Sequence, residues 1–111
     1  MAAKAQPLIA TRDVPIAATT VFTATARTTI DAVVVNNSTV GPLTFTANIV
    51  KSGDTVATTN QVASALSIGP NAATAPIGLL GQTLSIGDFI SVIGSAAGLN
   101  IRASGRVLTD A

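Results

Sequence analysis

The sequence predicts an all-β chain, an antiparallel β-sandwich or small jelly roll of about seven to nine short strands. Three observations carry this expectation. The stiff β-branched residues Thr, Val and Ile are abundant, while the straight-chain helix formers are scarce. Apolar residues recur at every second position in several segments. Turn-forming clusters such as Asn36-Asn37-Ser38, Val40-Gly41-Pro42, Ser52-Gly53-Asp54, Gly69-Pro70-Asn71 and Ile86-Gly87-Asp88 break these runs at irregular intervals that suit antiparallel connections.

Taken in order, the first element is ambiguous. Pro7 and Pro15 bracket the apolar Leu8-Ile9-Ala10 and the charged pair Arg12-Asp13. Because proline cannot donate to a ladder, the segment reads either as an edge strand or as an extended arm reaching roughly 30 Å. The domain division is therefore residues 1–15 as arm or edge strand and residues 16–111 as one β-sandwich domain. On the arm reading Pro7, Leu8, Ile9 and Arg12 contact a partner, and removing residues 1–11 leaves the fold intact. A strand follows at residues 20–26. Residues 28–37 begin as an alternation with Ile30, Ala32 and Val34 inward and Asp31 outward. The run Ala32-Val33-Val34-Val35 then predicts a strand covered on both sides, with Val33 and Val35 as apolar outer positions that seek a partner. The clearest strand is residues 43–49, where Leu43, Phe45, Ala47 and Ile49 share the inner face. Val62, Ser64, Leu66 and Ile68 mark another strand, and residues 88–94 a further one. Residues 73–80 form a weaker candidate because they contain Pro76. In the last strand Leu99, Ile101, Ala103 and Val107 face inward, and Asn100, Arg102, Ser104 and Arg106 face outward. Arg102 and Arg106 then lie about 13 Å apart on a basic outer face, positioned either to dock acidic groups or to blunt edge pairing.

Composition removes most chemistries. The 111 residues suffice for one compact domain, and they include no Cys, His, Trp or Tyr. Thiolate and imidazole catalysis, Cys/His metal centres, disulfides and aromatic base stacking are thereby excluded. A serine nucleophile would depend on Lys4 or Lys51, and a solvated lysine stays protonated. Asp54 and Asp88 follow glycines and read as turn residues, and Asp31 reads as solvated or paired with a neighbouring subunit rather than as a base. No spacing fits a calcium loop or a phosphate-cradling glycine motif. The chain is therefore expected to be a non-enzyme without cofactor or metal. Six basic and five acidic residues, scattered singly, give a net charge of +1, so neither nucleic acid nor membrane is an expected partner. The first ten residues lack the apolar core of a signal peptide, which points to folding in the cytoplasm. Such a small sheet protein with few charges should cover its apolar surface by assembling, as a trimer or hexamer at least as readily as a dimer.

Three stretches carry a resemblance: Pro7-Leu8-Ile9-Ala10-Thr11, the strand from Thr29 to Ser38, and Leu80-Gly81-Gln82-Thr83-Leu84-Ser85-Ile86-Gly87-Asp88-Phe89-Ile90. Together with Ser95 to Asn100 and Ala103-Ser104-Gly105, they resemble small β-sandwich virion proteins of tailed bacteriophages. The resemblance implies a structural protein of the particle, a capsid decoration or cement protein. Such proteins commonly form trimers at junctions between major capsid protein subunits, on the capsid surface of a virion made in a bacterial host cytoplasm. The alternative is a neck, tail or fibre component. A carbohydrate-binding sandwich ranks lower, because sugar sites use aromatic platforms and the chain offers only Phe22, Phe45 and Phe89.

Overall fold

The computed structural model describes residues 2–109. Nine strands follow in chain order: β1 (Ala2–Asp13), β2 (Thr19–Thr23), β3 (Thr28–Asn37), β4 (Leu43–Val50), β5 (Gln61–Ile68), β6 (Ala72–Thr74), β7 (Thr83–Leu84), β8 (Phe89–Gly94) and β9 (Leu99–Thr109). Short 3-10 turns occupy Thr58–Asn60 and Ile77–Leu79. The turn at 77–79 follows Pro76 and splits the weakly strand-like segment 73–80, so that only its start pairs, as β6.

Two antiparallel sheets form a β-sandwich. One is ordered β1-β9-β3-β6, with β7 also on β3, and the other is ordered β2-β8-β4-β5. Sequence-distant strands therefore pair in a nested series, β1 with β9, β2 with β8, β3 with β6 and β4 with β5. Folding one long hairpin over itself produces this nesting, which is the jelly-roll arrangement. Its loops gather at two ends. At one end the Ser38 N–H donates to the Gly98 carbonyl, Asn71 N–H to Thr39, and Gly94 N–H to Pro15. At the other end Ser52 and Ser85 donate their backbone N–H groups to the two carboxylate oxygens of Asp88, at 3.0 and 2.9 Å. The expected turn role of Asp88 thus extends to tying two loops together.

The core lies between the sheets. Ile30, Val35, Leu99 and Ile101 from one sheet meet Phe45, Ala47, Ile90 and Val92 from the other, all essentially inaccessible to solvent. The inner phase predicted for residues 43–47 is observed, with Ile49 packed at the margin of the same core. Four polar residues, Thr28, Asn37, Asn48 and Ser91, are also buried. Asn37 donates through Nδ2 to the carbonyls of Gly41 (2.9 Å) and Ile68 (3.0 Å), and its Oδ1 accepts from the Thr39 N–H and hydroxyl. A buried amide with its bonding capacity filled fixes the β3–β4 turn against the end of β5.

One open alternative is decided and one expectation is corrected. Of the two readings of residues 1–15, the structure contains the edge strand: β1 pairs with β9 from Ala2↔Thr109 to Asp13↔Asn100. Pro7 sits within it, at an outer position of the sheet where a missing donor is tolerated. The correction concerns β3. Between the pairs Ile30↔Gly105 and Ala32↔Ser104, β3 carries one extra residue, so Asp31 and Ala32 both face outward. The bulge reverses the phase of everything beyond it. Val33 and Val35 are therefore core residues, and Val34 is the exposed one, at 42%.

Candidate functional site

The bulge decides what the outer face of the five-stranded sheet presents. Opposite it, Gly105 leaves room for β3 to press against β9; a Cβ there would collide with the Thr29 carbonyl oxygen and crowd Leu8. Asp31 is carried outward to meet Arg106 from β9. The guanidinium grips the carboxylate with Nε at 3.1 Å from Oδ2 and Nη2 at 3.1 Å from Oδ1. Asp31 is exposed to solvent as expected, and its charge partner is in the same chain.

The predicted contact residues consequently separate. Leu8 and Ile9 of β1, with Val33 and Val35 of β3, belong to the hydrophobic core and are not available to a partner. Leu8 and Ile9 are both buried because β1 carries an extra residue between Pro7↔Ser104 and Ile9↔Ala103, and Val33 and Val35 because of the phase reversal in β3. Pro7 and Arg12 remain exposed on β1. Arg102 and Arg106 share the outer face of β9 as expected, yet they are not equivalent. Arg106 is matched by Asp31, whereas Arg102 makes no ion pair among the described residues.

Arg102 lies directly across the β3–β9 pair from Val34. These two residues are shared by two shallow hollows. The first, of about 190 Å³, is completed by Ala32, Val33, Ala103 and Ser104. The second, of about 220 Å³, is completed by Thr11, Asn36, Asn100 and Ile101. Arg102 thus stands with Val34 between two small depressions, the first beside the exposed Ala32 and the second beside the polar Thr11, Asn36 and Asn100, while Val33, Ile101 and Ala103 turn their side chains into the core. A third, more open hollow of about 540 Å³ follows β1 from Leu8 to Asp13 beside Val21. Among the described residues no group of three or more acidic side chains converges as a metal site would require. No helix of the structure is long and apolar enough to cross a membrane.

The opposite outer face, on the four-stranded sheet, is covered in part: Asn48 and Ser91 are buried there, and the β4–β5 loop folds back onto Asn48. Asn48 Nδ2 donates to the Ala57 carbonyl at 2.8 Å and to Asn60 Oδ1 at 2.6 Å, which holds the loop down. Sequence reasoning assigned two-sided burial to β3. The signal for its true location was the apolar Val50 following Asn48 and Ile49 on β4. Comparison with known proteins gives no match to any protein family, curated protein or solved structure.

Proposed function

We propose that this chain is a structural protein of a tailed-phage virion, a capsid decoration or cement protein that assembles as a trimer and bridges major capsid protein subunits. The observation that supports this reading best is the outer face of the five-stranded sheet, where the exposed Val34 and Arg102, which makes no ion pair among the described residues, stand between two shallow hollows. Such a face suits protein contact. The nested strand order adds support from analogy, since double-sheet jelly rolls recur in viral capsid and lectin domains, although the fold alone does not fix a function. The resemblance of residues 29–38 and 80–90 to small virion proteins points the same way.

The action is mechanical. A standard interface buries about 800 Å² on each partner, and several weak attachments on one oligomer raise its occupancy of a shell without strengthening any single contact. Bridged capsomers then resist expansion and rupture. Copy number on purified particles tests the proposal: quantitative gel densitometry should find hundreds of copies, roughly, as expected for a protein repeated over a shell. A count of roughly six to twelve would assign the chain to the portal or tail axis instead, as a neck, tail or fibre component.

A further inference from the structure

We propose that the Arg102–Val34 patch receives the β4–β5 loop of a second copy of this chain, with Asp54 paired to Arg102 and Val56 seated beside Val34. The argument starts from how the few carboxylates are used. Asp31 is bound by Arg106, and Asp88 by two backbone N–H groups. Asp13 is exposed and, like Asp54, makes no ion pair among the described residues, but the valine that follows it, Val14, is buried; Asp110 lies outside the described residues. Asp54 is exposed on the loop, at the edge of a hollow it shares with Gly53, Thr55 and Asn60, and its carboxylate makes no ion pair among the described residues. Two residues further on, Val56 is 44% exposed, so the loop offers an unmatched anion and an exposed aliphatic side chain together.

The patch offers the complement, an unmatched cation and an aliphatic side chain that is 42% exposed. The spacing also agrees. Val34 and Arg102 are directly opposed across antiparallel strands, which sets their Cα atoms about 5 Å apart. Asp54 and Val56, separated by one residue, span at most about 7 Å. Neither element needs to rearrange: Asn48 and Asn60 hold the loop, and the β3–β9 pairing holds the patch. A matched charge pair steers association and fixes the register of a contact, and burying the aliphatic neighbours stabilises it.

The two patches lie on opposite faces of the sandwich, the loop over the four-stranded sheet and Arg102 on the five-stranded one. A contact between them is head-to-tail, and such contacts close into a ring when the rotation permits. This inference rests on the proposed function only for the number of subunits in the ring. The test is sedimentation velocity on the wild-type chain, Arg102→Asp, Asp54→Arg and the charge-swapped double variant, each checked for folding by circular dichroism. Each single reversal should weaken assembly about tenfold or more, and the swap should recover most of that loss. A monomeric wild type overturns the inference, as do folded single variants that assemble normally or a folded double variant that fails to recover. If Arg102→Asp leaves assembly intact but abolishes attachment to particles, Arg102 faces another virion protein. The loop contact then falls while the virion reading stands.

Discussion

At the residue scale, Gly105 and Asn37 hold more of the architecture than their size indicates. Gly105 has to remain without a side chain because the bulged strand β3 runs against it. Gly105→Ala should lower stability by about 1–3 kcal/mol, read from a urea denaturation midpoint, as the two strands separate to admit the methyl group. Asn37→Ala removes the partners of two carbonyls and of the Thr39 N–H in a buried setting, and should cost about 2–4 kcal/mol by the same measurement. The Arg106–Asp31 pair is different. Its side chains are 55% and 41% exposed, so Asp31→Asn should change stability by less than about 1 kcal/mol. The reversed phase of Val33 and Val35 was hidden for a residue-level reason. Nothing in Ile30-Asp31-Ala32 advertises an extra residue, and the only hint lies on the opposite strand, where a glycine interrupts the alternation of β9.

At the element scale, period-two patterning located the strands well wherever one face is buried and the other wet. β4 and β9 follow their predicted inner faces, Phe45 and Ala47 in one and Leu99, Ile101 and Ala103 in the other. The two-residue β7 is too short to leave a pattern, and its pairing with β3 is settled by the tertiary fold. Phe45 is fully buried among both sheets, so Phe45→Ala should cost about 3–5 kcal/mol in a urea melt. β1 brings a larger correction. Leu8 and Ile9 fill the core and β1 pairs with β9 along its length, so a chain lacking residues 1–11 should lose cooperative unfolding in a thermal melt rather than keep its fold. In the candidate site, Arg102 and the outward turn of Asp31 were legible because strand alternation exposes them. Val34 and the tethered β4–β5 loop were not, since one depends on a bulge and the other on contacts distant in sequence.

For the whole molecule, composition gave the class and left the strand order open. Alternation says which side of a strand is dry but not which strand is its neighbour, and the nested pairing emerges only from contacts between distant segments. The scarcity of charge makes the few ionic groups informative. With so few carboxylates, one left unmatched beside an exposed valine stands out.

The pairing of β1 with β9 brings Ala2 alongside Thr109, so the start and finish of the described chain emerge at a common corner. A short flexible tether should therefore splice them, and the backbone can be reopened between Gly69 and Pro70, where both residues are exposed. The circularly permuted polypeptide would retain every strand neighbour, and any peptides grafted at the original corner would be displayed side by side.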